Sequence, residues 1–519
     1  MRKKFSPRAS LLATALAATF GMSLAPGMAF ASEADIMKRI EALQAEINQL
    51  KAEATAARQQ APAPTPAAAP VPALPVMAGS PVAASFNKGY IGWASADGNY
   101  SLKIDGRVQL DVGSVSADTN NFTSDSNFRR VRLGLKTKFW KDWEGEWDFD
   151  FAGSQLSMKD MWLAYQGIPD VSIKGGHFKP HFSMDQVTSS RVATYLESSI
   201  ATEIVAPSRR IGLAADYSND WMFLGGGVFG NKANKSGDPD SKDNSADSGQ
   251  PELFGYSLRA AMQPLWRNDN NRVFHVGLNL MNQRPRSQSP MEYDPNVATT
   301  TTCSGTPLKC TSKSVYNATK ASAKYRSMKL GGVGETELFG ADTDVVSARL
   351  YGATDAMTTG LELGFKYGPH ILTGEYLDTK VKSSSEGYTT SIPDASFNSY
   401  YVAYSYFFSG DRVYDSSSAE FAGVSGKNAL EFVARYSVAD LNDPNGGNSK
   451  KFDVTNTALV APVIGTAGGK ATISTVGLNW YPNLNTMFRL DYLTIETDAK
   501  SPIGKDKINV LGLRSQFTF

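Results

Sequence analysis

The stretch NFRRVRLGLKTKFWKDWEGEWDFDF, residues 127–151, decides the fold. It reads as two strictly alternating strands around a tight turn at residues 141–143. Successive side chains of a strand point to opposite faces of the sheet. One face carries mostly apolar groups, and the other carries Arg130, Arg132, Lys136, Lys138, Glu144, Glu146, Asp148 and Asp150. The chain supplies no second layer to cover the apolar face, so we expect that face to meet lipid and the charged face to line a water-filled lumen.

Alternation continues from Tyr100 to the last residue and predicts sixteen strands. Short turns (141–143, 167–170, 219–220 and 482–483) alternate with long polar loops (116–126, 180–208, 231–252, 283–359 and 441–470). An even strand number and this asymmetry of connections are typical of outer-membrane barrels. The predicted fold is therefore all-β, a 16-stranded antiparallel transmembrane β-barrel over residues 100–519, preceded by a short N-terminal coiled-coil helix.

The first hundred residues divide into three segments. Residues 1–31 have a basic start, an apolar run and a small-x-small site at Ala29–Ala31, which together predict a secretory signal peptide. Residues 32–60 repeat apolar side chains with 4-3 spacing, which predicts a coiled coil of about three heptads. Residues 61–99 are a Pro/Ala-rich linker and lead-in, which we expect to be extended.

The bulk composition limits the function. Without the four basic residues of the signal peptide the chain has 48 basic and 51 acidic residues, a net charge of −3. Nothing in this balance suggests a nucleic-acid partner. The mean hydropathy of −0.29 excludes a polytopic helical membrane protein. It is compatible with alternating strands, which average to weakly polar.

The sequence matches no signature of catalysis or of metal binding. The four histidines form no metal-spaced pair with carboxylates, and GTAGGK at residues 465–470 is one residue short of a phosphate-binding loop. We therefore predict neither an enzyme, nor a cofactor, nor a metal site. The two cysteines, Cys303 and Cys310, lie in a Thr/Ser-rich loop and are expected to form a disulfide that clamps this loop.

Several segments together resemble the phosphate-selective porin O and P family. They are the FRRVR…KDWE hairpin, GHFKPHFSMDQVTSS at residues 176–190, Tyr195–Glu197, VGLNWY at residues 476–481 and the final strand. The resemblance implies a trimeric outer-membrane porin whose loop 180–208 folds inward to narrow the pore. The Ile/Leu seam of the coiled coil leans towards two chains. We follow the family resemblance and predict a homotrimer.

The resemblance also assigns residues. Arg129 and Arg130 stand at paired arginines that family members place on the pore wall, and Asp160 stands at an acidic residue of the fourth strand. Family members that select phosphate carry lysines where this chain has Gln186, Asp415 and Ser425, which weakens the expectation of phosphate selectivity. 

Anion selection requires basic side chains whose field is not cancelled by neighbours. The charges near the turn of the opening hairpin are expected to form a salt-bridged wall. Arg129 and Arg130 lie far from that turn and are the first candidates for contact with anions. The further pore-lining candidates are Arg107, Arg132, Asp160, Arg191, Arg209 and Arg210.

The sequence thus predicts an outer-membrane porin for passive diffusion of small hydrophilic solutes. Its expected preference is weak to moderate and favours small anions, with phosphate or polyphosphate as one candidate. Outer-membrane lipids surround the barrel, and the coiled coil projects into the periplasm, where peptidoglycan is a candidate partner. The alternative is a structural or adhesive outer-membrane protein with a plugged barrel.

Overall fold

The computed structural model describes residues 82–87, 90–154, 156–230, 254–263, 271–284, 299–304, 309–314, 327–332, 344–385, 388–449 and 461–519. The predicted signal peptide, the coiled coil and residues 61–81 lie outside this part of the chain. The strands, in chain order, are β1 Val82–Asn87, β2 Tyr90–Ser95, β3 Ser101–Ala117, β4 Asp125–Phe139, β5 Trp143–Asp150, β6 Ser157–Ile168, β7 Val171–Phe178, β8 Arg210–Ser218, β9 Met222–Phe229, β10 Gly255–Met262, β11 Arg272–Gln283, β12 Thr299–Ser304, β13 Lys309–Ser314, β14 Ser327–Gly332, β15 Val346–Tyr351, β16 Ala353–Tyr367, β17 His370–Ser383, β18 Ala395–Asp415, β19 Glu420–Asn448, β20 Ile464–Asn483, β21 Thr486–Thr497 and β22 Lys507–Thr518.

Sixteen of these strands, β3–β11 and β16–β22, form one closed antiparallel barrel. Each pairs with its neighbour along the chain, and β22 pairs with β3 to close the ring, so that Val108 lies opposite both Val131 and Phe517. All sixteen predicted strands are present, and the predicted fold class is confirmed. The turn of the opening hairpin spans residues 140–142, one residue earlier than predicted, with positive φ at Trp140 and Lys141.

The outer surface of the barrel is apolar, as the alternation predicts. Phe128, Leu133 and Phe151 of the opening hairpin are 57%, 40% and 46% exposed, whereas Arg132 and Asp148 are buried on the lumen side. Aromatic side chains lie on the outside near the short turns, among them Trp140, Trp143 and a stacked Trp480–Phe488 pair with ring centroids 5.5 Å apart. Aromatic girdles of this kind mark the lipid–water boundary of membrane barrels.

Three hairpins were not predicted. The β1–β2 hairpin lies within residues 61–99, and β2 pairs with β3 from Ile91↔Ile104 to Ala94↔Ser101, so the sheet extends into the predicted linker. The β12–β13 hairpin places the backbone of Cys303 directly opposite that of Cys310. Their side chains lie outside the described part, and the disulfide remains a prediction.

The third hairpin, β14–β15, packs inside the barrel at the end that carries the long loops. Leu330, Val346 and Leu350 are at most 3% exposed. They belong to one apolar cluster with lumen-facing wall residues, which include Leu377, Phe397, Leu441, Ile473, Leu493, Ile495, Ile508 and Val510. This part of the interior is therefore a packed core, although the alternation predicted a charged lumen face throughout.

The connection between β7 and β8, residues 179–209, is the inward loop. It contains two one-turn helices, α1 Met184–Val187 and α2 Ile200–Glu203. Phe182, Ile200 and Ala201 are fully buried inside the barrel. The predicted inward course of this loop is thus observed. In the described part of the chain, no helix is both long and apolar enough to cross a membrane.

A second segment enters the lumen from the end with the short turns. β18 pairs with β17 as far as Tyr406, and β19 pairs with β20 from Ala429 onwards, so residues 410–428 extend beyond the wall and pair only with each other. We call them the inward hairpin. Three register shifts bend it, and its residues Arg412, Ala419 and Phe421 are 1%, 2% and 7% exposed.

Candidate functional site

The charged side of the lumen surrounds one cavity of about 850 Å³. Its surface is formed by residues of the wall strands β3–β11 and β17–β19, by β14, by the inward loop and by the inward hairpin. All eight predicted pore-lining residues contribute to its surface, namely Arg107, Arg129, Arg130, Arg132, Asp160, Arg191, Arg209 and Arg210. The structure therefore brings these residues together around one cavity, although the sequence did not indicate how their side chains are paired.

A β-bulge explains how two consecutive arginines both reach the lumen. Gln109 of β3 pairs with Arg130, and the next residue, Leu110, pairs with Phe128, so Arg129 is the extra residue of β4. A bulge reverses the alternation for one position. Phe128 consequently faces outward again, while Arg129 and Arg130 lie side by side on the inner surface.

Both arginines bind Glu197 of the inward loop. Arg129 donates from Nε to Oε1 at 3.0 Å, and Arg130 donates from Nη2 to Oε2 at 2.7 Å. Arg514 of β22 donates to the same carboxylate at 2.8 Å. Arg129 and Arg130 lie far from the acidic residues near the hairpin turn, as predicted, but Glu197 reaches them from a loop that is distant in sequence.

Glu197 is ionised in this setting. Burial opposes its charge, but the guanidinium groups of Arg129, Arg130 and Arg514 outweigh burial and hold the pKa of this carboxyl well below its usual value. These three arginines share the Glu197 carboxylate, and Arg514 also binds Asp111 at 2.7 Å, so the cluster keeps an excess of one positive charge.

Ion pairs between β4 and β5 form a salt-bridged wall, which was predicted for the part near the turn and extends to Arg132 at the far end of the hairpin. Arg132 Nε lies 2.8 Å from Asp150 Oδ2, and Lys136 Nζ lies 3.7 Å from Glu146 Oε1. Arg107 donates to the Ser190 hydroxyl at 2.7 Å. These pairs stabilise the wall and weaken the field that an ion in the cavity experiences.

A second acidic centre holds the base of the inward loop. Asp160 Oδ2 accepts from Arg209 Nε at 2.9 Å and from Arg209 Nη2 at 2.5 Å. The neighbouring Arg210 donates to the Ser208 hydroxyl at 3.2 Å. Arg191, at the middle of the loop, lies 3.3 Å from Asp105 and donates to the Gly106 carbonyl at 3.2 Å.

Lys179 is a lumen cation that the sequence reasoning missed. It is the only lysine of the inward loop, and its Nζ donates to the Gln186 carbonyl at 2.5 Å. Burial, followed by the charge of Arg209, lowers its pKa to about 7. Its charge therefore changes in the physiological pH range.

Side chains of β3 and β18–β22 donate hydrogen bonds to the backbone of the inward loop. Eight consecutive carbonyl oxygens, from Ser190 to Glu197, each accept a hydrogen bond from a lumen-facing side chain. The donors, in order, are Gln109, Gln516, Arg412, Arg489, Asn479, Arg489, Arg514 and Arg435. Arg489 and Arg514 lie away from the cavity surface, whereas Arg412 and Arg435 bind the loop and also contribute to that surface.

The sequence signal for these donors was present but ambiguous. Asn479 and Arg489 occupy lumen-facing positions of alternating strands, where a polar residue is expected in any porin. Only the path of the loop shows that they bind carbonyl groups. Gln186, at a family lysine position, donates to the Pro207 carbonyl at 2.7 Å. Asp415 and Ser425, at the other two, lie on the inward hairpin, where Asp415 is half-buried and Ser425 is exposed.

The described chain was compared with known proteins. A profile of the family described as phosphate-selective porin O and P matches residues 102–338 and 303–519. Porin O of Pseudomonas aeruginosa is 25% identical over 430 residues, which cover 79% of this chain and 86% of that protein. An uncharacterized protein of Caulobacter vibrioides is 23% identical over 544 residues, which cover 96% and 94% of the two chains.

Solved porin structures are also similar. An anion-selective porin from Comamonas acidovorans aligns with a TM-score of 0.45 and 12% identity, over 81% of this chain and 100% of that one. The trimer form of OmpT of Vibrio cholerae gives 0.43 and 9%, over 81% and 99%. The profile spans almost the whole barrel, and the closed sixteen-stranded sheet agrees with it. The chain belongs to the phosphate-selective porin O and P family of outer-membrane channels.

Proposed function

We propose that this porin lets small hydrophilic solutes diffuse passively and prefers anions weakly to moderately. The observation that supports this proposal is the net positive charge of the cavity surface. Fourteen Arg or Lys side chains line it, against nine Asp or Glu. Four of these basic side chains also pair with acids that lie outside the surface, which reduces the difference from five to one; the pairs are Arg132–Asp150, Arg259–Glu362, Lys329–Asp344 and Arg412–Glu431.

The modest excess explains why the preference is weak. A selective filter requires cations whose field reaches the ion. Here Arg129 and Arg130 share Glu197, Arg209 is held by Asp160, and Arg132 is held by Asp150. An anion that enters the cavity experiences the residual field of the cluster.

Phosphate is a poor specific ligand in this arrangement. Lysines are absent at Gln186, Asp415 and Ser425, and Asp415 adds a negative charge at one of these positions. We expect phosphate to reduce the chloride current only at high concentration. Block at micromolar phosphate would show that the pore binds phosphate specifically.

Planar-bilayer recording tests the proposal. The wild-type protein should give discrete conductance steps, and its reversal potential in a KCl gradient should show weak anion preference. Replacement of Arg129 and Arg130 by Ala should move the reversal potential towards that of a cation-selective pore. Recordings without conductance steps would instead favour a plugged barrel with a structural or adhesive role.

The substitution Glu197→Gln should shift the ion selectivity in the opposite direction, towards anions. A unit charge at a few ångströms in a wet site changes an ion's energy by about 1 kcal/mol. We therefore expect the ratio of chloride to potassium permeability to rise severalfold. Glu496→Gln is the matched control, because Glu496 is 59% exposed outside the lumen. An unchanged ratio in Glu197→Gln would contradict the assignment of this cluster to the ion path.

The assembly is a separate proposal. We infer a homotrimer in the outer membrane whose N-terminal coiled coil lies in the periplasm and holds the subunits together or binds peptidoglycan. Family membership and the 4-3 repeat of residues 32–60 support it. Mass measurement in detergent, with and without residues 32–60, gives the number of subunits. A monomer or dimer of the protein that keeps residues 32–60 would contradict the trimer.

A further inference from the structure

The inward hairpin is held at its tip by one buried arginine of the wall. Arg259 of β10 is 1% exposed. Its Nη1 donates to the Ser418 carbonyl and its Nη2 donates to the Ala419 carbonyl, each at 2.7 Å. These two carbonyl groups form the turn between β18 and β19.

The arginine is itself fixed by a buried carboxylate. Its Nε and Nη2 lie 2.9 Å from the two oxygens of Glu362 on β16. Glu362 is fully buried and also binds His275 at 3.0 Å and Asn279 at 2.7 Å. A planar guanidinium can make these four bonds at once, whereas an ammonium group cannot reproduce the fork.

A further contact secures the same tip to the neighbouring strand. The hydroxyl of Tyr414 lies 2.7 Å from Nδ1 of His275. Ala419 packs in an apolar cluster with Phe223 and Ala261 of β9 and β10. The tip therefore docks on three adjacent wall strands through groups that converge on Arg259 and Glu362.

The docked hairpin packs against the inward loop inside the lumen. Arg412 donates to the Val192 carbonyl of the inward loop at 2.7 Å. Phe421 shares an apolar cluster with Met184 of α1. The loop enters from one end of the barrel and the hairpin from the other, and residues of both line the cavity, so the position of the hairpin sets how far the two segments together constrict it.

We propose that Arg259 is the positioning residue of this constriction: it fixes the hairpin tip against the wall and thereby sets the size and steadiness of the conducting path. The inference rests on the proposed function, because it concerns the aperture of a conducting pore. Arg259 acts through the hairpin and does not itself need to contact the solute.

Single-channel recording of Arg259→Met tests the proposal. This side chain fills similar space but donates no hydrogen bonds, so the two tip carbonyls and Glu362 lose their partner. We expect a larger conductance, by about twofold when the aperture widens, and rapid fluctuation between levels. Arg259→Lys keeps the charge and should still fluctuate, because one ammonium group cannot hold both carbonyls and the carboxylate.

The matched control is Arg272→Met. Arg272 begins the adjacent strand β11 and lies beside Tyr367 near the short turns, with its guanidinium 5.8 Å from the ring. This substitution removes an arginine from the same region of the wall and leaves the contacts of the inward hairpin unchanged. Conductance and noise should match the wild type.

A cross-link separates loss of position from loss of charge. A Cβ added at Gly423 would lie 3.7 Å from Cγ1 of Val192. Cysteines at these two positions can therefore tie the hairpin to the inward loop. In the Arg259→Met background, oxidation should restore the wild-type conductance and remove the fluctuation, and reduction should bring both changes back.

A second variant keeps the proposal testable if Arg259→Met does not fold. Deletion of residues 411–427 leaves the wall pairs of β17–β20 intact and removes the hairpin. Its conductance should exceed that of the wild type. An unchanged conductance in this deletion, or unchanged conductance and noise in folded Arg259→Met, would overturn the proposal. A wild-type protein without conductance would overturn the proposed function instead.

Discussion

Glu197 organises the charged lumen at the scale of single residues. Its carboxylate accepts five hydrogen bonds from Arg129, Arg130 and Arg514. A carboxylate offers about four lone-pair directions, so these donors saturate it. The guanidinium groups are held at a fixed place beside the cavity, and their residual charge is concentrated there.

Lys179 gives this arrangement a dependence on pH. The pKa of its ammonium group is lowered to about 7 by burial and by Arg209. The group is charged below that pH and loses its proton as the pH rises through it. We expect the anion preference to fall between about pH 6 and pH 8, which the reversal potential in a KCl gradient would show.

Two substitutions identify Lys179 as the source of this change. Lys179→Met should give the weaker preference throughout this range. Lys179→Arg should keep the stronger preference at the alkaline end, because an arginine remains protonated there. A pH dependence that persists in Lys179→Met would assign the titration to another group.

At the scale of elements, the bulge in β4 is the local device that creates the arginine pair. In the ladder with β3, Gln109 lies opposite Arg130 and Leu110 lies opposite Phe128, so Arg129 is the extra residue of the bulge. Deletion of Arg129 should therefore leave the ladder and the outward position of Phe128 intact. We expect a folded barrel with a weaker anion preference.

Deletion of Leu135 in the same strand is the control. Leu135 pairs with both Ile104 and Trp147 in the regular ladder. Its loss shifts one part of β4 by a residue and turns charged side chains towards lipid, at a cost of about 2–4 kcal/mol each at the midplane. Heat-modifiable migration on gels measures folding. Equal yields from both deletions would contradict the assignment of the bulge.

At the scale of the whole molecule, the barrel interior has two different sides. One side is wet and charged, and the other is an apolar core around the β14–β15 hairpin. The exposed surface of the barrel is also apolar, so an outer leucine and an inner leucine differ only in what surrounds them. This difference can be measured.

Leu350 and Leu361 form the matched pair for that measurement. Leu350 of β15 is fully buried inside the barrel, whereas Leu361 of β16 is 41% exposed on the outside. Leu350→Ala should lower the free energy of unfolding by about 2–5 kcal/mol, because it opens a cavity. Leu361→Ala loses contact with detergent or lipid and should cost less than about 1 kcal/mol. Urea unfolding in detergent micelles gives both values, and equal values would show that β14–β15 does not form a packed core.

Sequence periodicity predicted the wall because a strand's alternation is local. The sixteen strands and the lipid face follow from it, as the opening hairpin shows. Pairings between distant segments could not be predicted in the same way. Glu197 meets Arg129 only because the inward loop crosses the lumen, and Arg259 meets Ser418 only because the hairpin turns inward. Family resemblance indicated the inward loop but not the residues that hold it.

The row of eight gripped carbonyl groups has a consequence for protein engineering. The carbonyl groups of the inward loop depend on hydrogen bonds from the wall, among them those of Arg412, Arg435, Arg489 and Arg514. The loop therefore cannot be transplanted alone into another porin. In a foreign barrel its carbonyl groups would be buried without donors, at about 1–3 kcal/mol each. The unit of exchange in a chimera is therefore the inward loop together with the strands β18–β22 and β3 that carry its donors.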